Sequence, residues 1–430
     1  MDQNDAFSRT KNLRRLLTYL LVALIITVVG FILPYSSNIY VRDKVTKIYF
    51  ADHISDVYQK VIDEFNEKYK GKIEVIPVHL PFEKFTTNER KELLTRYLRT
   101  KSDRIDVFSV DQIWVPRFAK WGTPFETIPN PVSPDSLLNT ALKSCYYNGR
   151  LVAAPLYIDV GLMYYRKDIL SSFKDPEKLD SRIRSSLTWD EFIRLSHSLS
   201  GNRQKPYYVF QADDYEGLVC NFLELLAAQG KNLYDDGGKL QLNTPEAHKA
   251  LQLLIDLVHK YKLSPQSVSE FRDHNSELYF IQNDGLFFRG WPSFLRDARR
   301  DFGNSDKIAS IGLAPLPHFP GFKPVSTLGG WNVMISKFSS KKEESMEFIK
   351  FLVSRSVQMK LYQEGQYLPV NVNIYNDSLS LNEQKDLKFF HSLITSGVYR
   401  PALENYTKIS DVISYFLYLA VKNEISAETA

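Results

Sequence analysis

The chain lacks most of the spacings that mark common catalytic and metal-binding sites. Its 430 residues include only two cysteines, Cys145 and Cys220, and eight scattered histidines, with no C-x-x-C or H-x-x-x-H pair. These counts do not support a disulfide framework or a zinc site. Because G-x-S-x-G, H-E-x-x-H and P-loop spacings are also missing, no residue is singled out as a nucleophile. We therefore predict no catalytic residue, no metal and no cofactor.

The chain also has little excess of positive over negative charge. The formal net charge is +4, and no basic stripe occurs that would predict binding to nucleic acid. A hydrophobic content of 44% with 24% charged residues is typical of a globular protein. Most of the 25 Tyr, 27 Phe and 5 Trp must be buried, although such a supply also suits recognition by ring stacking.

One long hydrophobic run is present, from Leu16 to Pro34, and no charge occurs between Arg15 and Arg42. About 20 helical residues cross the ~30 Å hydrocarbon core of a bilayer. The basic residues before the run predict a cytoplasmic N-terminus at 1–15, a transmembrane segment at 16–35 and an exported remainder. A cleaved signal peptide is the alternative, but no small-residue cleavage site follows the run. Either reading exports the rest of the chain.

The remaining ~390 residues are too many for one comfortable core and predict two lobes. Short apolar strands alternate with helical patterns, first at 47–51, then 57–69, 73–75, 93–98 and 105–110. This order is typical of an α/β fold with a parallel sheet. Capping boxes at Thr188 with Glu191 and at Ser340 with Glu343 predict later helix starts, as does Thr244 before Pro245.

Polar and aromatic side chains recur where predicted strands give way to loops. In open α/β sheets, ligands bind beyond the carboxyl ends of strands. Carboxylates accept pairs of hydroxyl hydrogen bonds, arginine donates a fork, and aromatic faces cover the C–H patches of a sugar ring. The residues in such positions are Asp111, Tyr157, Asp159, Asp213, Tyr215, Arg289, Trp291 and Trp331, the last beside Gly330.

Each of these residues also has an ordinary structural explanation. Asp111 and Asp159 could cap helices. Trp291 could be a packed core residue, and Trp331 could support the Gly329-Gly330 turn without touching any ligand. Paired carboxylates could also serve a glycosidase, but the sequence alone gives no separation between them.

The ordered set of motifs resembles the bacterial extracellular solute-binding proteins of the maltose/trehalose-binding type, the capture subunits of ABC sugar importers. The likeness runs from about Lys47 to about Pro369. The segments that carry it are 105–111 (IDVFSVD), 147–155 (YNGRLVAAP), 161–168 (GLMYYRKD), 188–192 (TWDEF), 215–218 (YEGL), 290–292 (GWP) and 329–331 (GGW).

This resemblance implies a two-lobe periplasmic-binding-protein fold with a multi-segment hinge, here preceded by one transmembrane helix. The implied division is a linker at 36–46, lobe one at 47–153 plus 333–369, and lobe two at 154–332 plus 370–430. Hinge crossings are expected near 153–158, 326–332 and 368–375. Cys145 and Cys220 would fall in different lobes, where a disulfide would oppose closure, so two free thiols are expected.

By matching position, the resemblance implies that Asp111, Asp159, Asp213, Tyr215, Trp291 and Trp331 beside Gly330 contact the ligand, with Asp52 as a weaker match. Tyr157 and Arg289 rest on the local argument above. The implied function is capture of a sugar, such as a disaccharide or oligosaccharide, outside the cytoplasmic membrane. The implied partners are permease subunits with a cytoplasmic ATPase, and we expect a monomer. A membrane-tethered glycoside hydrolase and a ligand-sensing ectodomain are the alternatives.

Overall fold

The computed structural model of the protein describes residues 16–28, 45–80, 87–101, 104–199, 205–235 and 237–430. Within them, helices cover two separate mixed sheets, and a third, two-stranded sheet joins β4 to β5. The strands are β1 (Thr46–Asp52), β2 (Ile73–His79), β3 (Val107–Asp111), β4 (Tyr146–Tyr147), β5 (Arg150–Leu151), β6 (Ala154–Val160), β7 (Leu162–Arg166), β8 (Tyr208–Val209), β9 (Phe287–Gly290), β10 (Ile311–Ala314), β11 (Thr327–Ile335) and β12 (Val398–Tyr399).

The helices lie between these strands and at the C-terminal end. Helix α1 occupies residues 16–28. The others are α2 (Asp56–Lys68), α3 (Thr87–Arg99), α4 (Val115–Phe118), α5 (Asn139–Leu142), α6 (Lys167–Leu170), α7 (Pro176–Arg184), α8 (Trp189–Leu199), α9 (Glu216–Ala227), α10 (Pro245–His259), α11 (Asp273–Gln282), α12 (Phe294–Phe302), α13 (Asp306–Ala309), α14 (Lys342–Leu352), α15 (Arg355–Gly365), α16 (Val372–Asn376), α17 (Ser378–Glu383), α18 (Lys385–Ser396) and α19 (Tyr406–Val421).

The first sheet has the strand order β12-β11-β3-β1-β2, and β6 also pairs with β11. Strands β1, β2 and β3 run parallel, as the alternating pattern predicts, whereas β11 runs antiparallel to both β3 and β6. The core that packs on this first sheet is aromatic: Phe348 of α14 packs edge-on against Phe50 of β1 and Phe65 of α2. Helices therefore cover this sheet through large buried rings.

The second sheet has the order β10-β7-β9-β8 and is again mixed. Phe192 of α8 contacts Tyr207 and Phe287, with ring centroids 4.9 Å apart in each pair. The chain passes from the first sheet to the second between β6 and β7, at Gly161. It returns between β10 and β11. Two sheets, each with its own aromatic core, agree with the predicted two-lobe α/β fold.

The hydrophobic run at the N-terminus lies only partly within the described residues. Residues 16–28 form a helix, and 29–35 of the predicted transmembrane segment lie outside. Among the described helices, none has both the length and the apolar character needed to cross a bilayer.

Several local predictions are confirmed and others are wrong. Thr188 and Glu191 form the predicted capping box, and the Thr244 hydroxyl accepts a hydrogen bond from Ala247 N at the start of α10. The box predicted at Ser340 and Glu343 does not form, because α14 begins at Lys342 with no side-chain cap. The neighbouring Ser339 instead donates to Asp106, at 2.5 Å.

The larger correction concerns the segments expected in loops. Tyr157 and Asp159 lie inside β6, Arg289 lies inside β9, and the Gly-Gly-Trp motif lies inside β11. Both cysteines are buried free thiols, as expected.

Candidate ligand-binding site

Strand β11 brings several of the predicted site residues together. In its antiparallel pairing, Trp331 stands opposite Asp111 on β3 and opposite Tyr157 on β6. Side chains at such opposed positions have Cβ atoms about 4.5–5.5 Å apart. Register alone therefore places three candidates, drawn from distant parts of the sequence, side by side.

Asp52, at the end of β1, is buried and satisfied within the protein. Its Oδ1 accepts hydrogen bonds from Arg90 Nη2 at 3.1 Å and from the backbone N of His53 at 2.7 Å, and Ser109 donates to it as well. Burial raises the pKa of Asp52, and the positive charge of Arg90 opposes that rise. The carboxylate is thus held in place by its own surroundings.

Arg90 also connects Asp52 to Trp331. Its guanidinium carbon lies 4.3 Å from the centroid of the Trp331 ring, within the range of a cation–π contact. Trp114 meets the same ring edge-on, with centroids 5.6 Å apart. Only 7% of Trp331 is exposed, so its orientation is set by these two neighbours.

Asp111 acts partly as a helix cap, which is its ordinary structural explanation. Its Oδ1 accepts from Ile113 N at 3.1 Å, closing the short 3-10 turn Gln112–Trp114. The same oxygen accepts from Arg400 Nη2 at 2.8 Å. The other arm of Arg400 donates to Glu216 Oε1, at the start of α9, at 3.1 Å. Arg400 therefore joins the end of a first-sheet strand to a helix beside the second sheet.

A second group of candidates surrounds Trp291. Its indole Nε1 donates to Asp273 Oδ1 at 3.1 Å, and the Tyr215 hydroxyl donates to the same oxygen at 3.2 Å. The Arg289 guanidinium lies 4.1 Å from the centroid of the Trp291 ring. Arg289 has no exposed surface and pairs with Glu224 Oε1 at 2.6 Å, so this geometry aims its charge at Trp291 and Glu224.

Asp213 lies at the edge of this second group. It accepts from Arg272 Nε at 2.6 Å and from Asp214 N at 2.8 Å. Arg272 in turn lies 5.8 Å from the centroid of the Tyr215 ring. Asp213 also reaches Tyr215 directly, because its backbone carbonyl oxygen accepts from Tyr215 N at 2.8 Å.

Two adjacent glycines of β11 let the groups approach each other. A Cβ at Gly329 would lie 3.3 Å from both Asp159 Cβ and Trp291 Cζ3. Gly330 has φ of +127°, and a Cβ there would lie 2.5 Å from the carbonyl oxygen of Tyr157. Only glycine fits both demands at position 330. The pair thus allows β6, β11 and the Trp291 ring to meet.

Asp159 differs from the other acidic candidates. It is partly exposed, and its carboxylate has no hydrogen-bond or ion-pair partner among the described residues. Burial raises its pKa to about 7, Arg296 and Arg400 oppose the rise, and Asp111 and Asp273 add to it. Next to the edge of the Trp291 ring, it offers oxygens that can still accept hydrogen bonds.

Sequence reasoning missed the residues that hold these candidates in place, chiefly Arg90, Asp273 and Arg400. No group of metal-ligating side chains occurs in the described part of the chain. What the arrangement offers is the Trp291 ring, which follows β9, and the unpaired Asp159 carboxylate on β6. Such a site is suited to binding rather than to bond cleavage.

Comparison with known proteins gives a family match. Residues 51–359 match the family model described as bacterial extracellular solute-binding protein. A probable ABC transporter-binding protein of Deinococcus radiodurans is 27% identical over 346 residues, covering 77% of this chain and 79% of its own. An arabinooligosaccharide-binding protein of Halalkalibacterium halodurans is 20% identical and covers 79% and 74%.

Solved structures give the same fold. The maltose-bound MalE3 of T. maritima superimposes with a TM-score of 0.76 at 30% identity, over 90% of this chain and 97% of that one. A solute-binding protein of Thermotoga lettingae with α-D-tagatose also scores 0.76, at 24% identity, over 90% and 96%. The two-lobe arrangement is therefore shared across both comparisons.

Proposed function

The chain belongs to the family of bacterial extracellular solute-binding proteins, and from that membership we propose that it captures a sugar and delivers it to an ABC importer. The family consists of binding proteins and not of enzymes, so the chain is assigned no catalytic activity. Its relatives include proteins named for arabino-oligosaccharide and mannitol, and a structural neighbour holds maltose. A sugar or a related polyol is the ligand class that these names support.

One observation carries the proposal: Trp291 and Asp159 meet at Gly329, between the two sheets. A partly exposed indole can cover the C–H face of a pyranose ring, while a carboxylate without a protein partner accepts its hydroxyl hydrogens. A sugar ring has both apolar C–H faces and hydroxyl groups, so its recognition uses an aromatic face and a hydrogen-bond acceptor together. The other candidates are proposed to complete the site around this pair: Asp111, Trp331, Tyr157, Tyr215, Asp213, Asp52, Gly330 and Arg289.

The charges of the site favour an uncharged ligand over a phosphorylated one. Five arginines lie around the candidates, and each already has a carboxylate partner: Arg90 with Asp52, Arg272 with Asp213, Arg289 with Glu224, Arg296 with Asp297, and Arg400 with Asp111. A phosphate group would place a second anion beside an arginine whose charge a carboxylate already balances. A neutral polyhydroxy ligand needs no such exchange.

The roles of individual residues follow from their contacts. The residues proposed to touch the sugar are Trp291, Trp331, Asp159 and Tyr215. Arg289 is proposed to act through the Trp291 ring, because it is buried beneath that ring and paired with Glu224. Asp52 is proposed to hold Arg90 and Trp331 in place. The glycosidase alternative gains no support, since Asp52, Asp111 and Asp213 are each paired with an arginine.

The hinge is proposed to run through β6 and β11, which pair with each other where the chain passes between the sheets. Lobe one would contain residues 47–153 plus 333–369, and lobe two residues 154–332 plus 370–430. Hinge closure of two lobes around a ligand is an established motion of such two-domain proteins. The ligand would then be enclosed between Trp331 on one side and Trp291 on the other.

Delivery requires a permease pair with a cytoplasmic ATPase, and the extracytoplasmic location follows from the family. We further propose that residues 16–35 anchor a monomeric protein in the cytoplasmic membrane. N-terminal sequencing of the native protein tests the anchor: a mature chain starting after residue 34 would identify the run as a cleaved signal.

The function itself is tested by calorimetry with maltose, trehalose, an arabino-oligosaccharide and mannitol, combined with a product assay. Saturable binding with the sugar recovered intact supports capture. Hydrolysis of the sugar would favour the glycosidase, and no binding of any sugar or polyol would contradict the proposal.

A further inference from the structure

Asp273 occupies a position that the sequence motifs do not single out. It is the first residue of α11, and its Oδ1 accepts hydrogen bonds from both Trp291 Nε1 and the Tyr215 hydroxyl, at 3.1 and 3.2 Å. Tyr215 is the residue before α9, and Trp291 follows β9. One carboxylate oxygen therefore ties two aromatic rings from separate elements to a third element.

The other contacts of Trp291 do not set the direction of its indole N–H, so the hydrogen bond to Asp273 sets it. Its carbonyl oxygen accepts from the Tyr164 hydroxyl at 2.8 Å, which fixes the backbone. The Arg289 guanidinium covers the ring at 4.1 Å, but a cation above a ring does not select the direction of the N–H. The hydrogen bond to Asp273 does, because an indole nitrogen has a single donor direction.

The negative charge of Asp273 interacts with the positive charge of Arg289. Arg289 covers the Trp291 ring and pairs with Glu224, and its positive charge opposes the rise in pKa that burial imposes on Asp273. The two donors, Trp291 Nε1 and the Tyr215 hydroxyl, also favour the ionised form of Asp273, which accepts both hydrogen bonds. Carboxylate acceptors also make stronger hydrogen bonds than neutral ones.

From these contacts we infer that Asp273 is a positioning residue of the sugar site, which sets the orientation of Trp291 and Tyr215 without touching the sugar itself. The inference rests on the proposed sugar-binding function. Rings that are already aligned need not be ordered when the ligand arrives, so binding loses less conformational entropy. Losing Asp273 would leave both rings in place as hydrophobic groups but without a fixed direction.

The test compares Asp273→Ala with Asp273→Asn in the full-length protein. Asparagine keeps an Oδ1 acceptor at the same position, whereas alanine removes it. With maltose as the probe, we expect alanine to weaken binding about tenfold, the scale of losing one or two hydrogen bonds, and asparagine to restore most of the affinity. Glu277→Gln is the matched control, because Glu277 is buried on the same helix and lies 3.9 Å from His274 Nδ1.

A background without the two donors separates positioning from direct contact. In the double variant Trp291→Phe with Tyr215→Phe, both hydrogen bonds to Asp273 are already gone. Adding Asp273→Ala should then cost almost nothing, whereas a full tenfold loss in that background would mean that Asp273 binds the sugar directly and would overturn the inference.

The near-UV circular dichroism of the sugar-free protein gives a readout that does not depend on binding. Asp273→Ala should change the tryptophan bands in the wild-type background and leave them unchanged in Trp291→Phe. Unaltered bands in both backgrounds would overturn the inference even if sugar binds. Altered bands in a protein that binds no sugar would keep the positioning role and reject the proposed function instead.

Discussion

Arg400 Nη2 lies 2.8 Å from Asp111 Oδ1, although 289 residues separate the two in the sequence. Only 4% of the Arg400 side chain and 13% of the Asp111 side chain are exposed. Glu216 takes the second arm of the same guanidinium and also accepts from the Tyr406 hydroxyl at 3.0 Å. This charged group connects β3, α9 and the start of α19, so it couples elements of both sheets.

Replacing Arg400 should therefore destabilise the protein strongly. Arg400→Gln leaves two largely buried carboxylates without their cation, and breaking a buried pair in this way costs roughly 3–5 kcal/mol. Arg272→Gln is the control: its pair with Asp213 has a similar length, 2.6 Å, but 49% of the arginine side chain is exposed. Such a pair contributes about 0–1 kcal/mol. Urea unfolding measures both, and equal losses would contradict the structural role of Arg400.

The two aromatic candidates give a direct test of the site. Trp291→Ala and Trp331→Ala should each weaken binding of a disaccharide by about 1–3 kcal/mol, the usual contribution of a stacking ring. Calorimetry measures the affinity, and a cooperative thermal transition shows that the fold is retained. Trp121→Ala is the control, since that ring packs on Phe118 and is not a site candidate. Wild-type affinity in both test variants would reject the aromatic site.

Asp159 should make folding stability depend on pH. Its pKa is raised from 3.8 to about 7, mainly by burial, so between these values the folded protein holds a proton that the unfolded chain has lost. Stability contributed by this group is thus fully present below pH 3.8, falls as the pH rises toward 7, and then levels off. Asp159→Asn should remove this slope. Because burial raises the pKa of Glu277 to about 7 as well, the comparison is made in a Glu277→Gln background.

The same carboxyl should link sugar binding to proton release. Sugar hydroxyls donate to the ionised form, so binding near pH 7 favours loss of the proton, and affinity should rise as the pH increases through 7. The charges facing Asp159 are those of Arg296, Arg400, Asp111 and Asp273. Calorimetry at pH 7 in two buffers with different ionisation enthalpies detects the released proton. Equal apparent enthalpies in both buffers would show that Asp159 does not titrate on binding.

The fold and the positions of several candidates in it were accessible to sequence reasoning because their signals are local. Asp111 could be placed at the end of a strand, and the capping box at Thr188 could be placed at a helix start, from residues within a few positions of each other. Trp291 and Trp331 stood out by type. The two-lobe division followed from length and alternation.

The supporting residues could not be found in this way, because their roles arise from contacts between distant segments. Arg90 looks like one more charge on a polar helix until the fold brings it to Asp52, 38 residues away. Asp273 looks like an ordinary residue of a first helical turn. The Gly-Gly pair suggested a turn, since glycine is common there, whereas the structure uses it for close approach inside a strand.

That distinction leads to a prediction for the two glycines themselves. Gly330→Ala would put a Cβ 2.5 Å from the carbonyl oxygen of Tyr157 and force alanine into φ of +127°, so we expect a loss of roughly 2–4 kcal/mol in unfolding free energy. Gly329→Ala meets only side chains, Asp159 and Trp291, each at 3.3 Å. It should leave stability nearly unchanged and weaken sugar binding, because the Trp291 ring must shift. Urea unfolding and calorimetry on both variants separate the two effects. If Gly329→Ala binds sugar as wild type does, the contact of Trp291 with β11 is not part of the site.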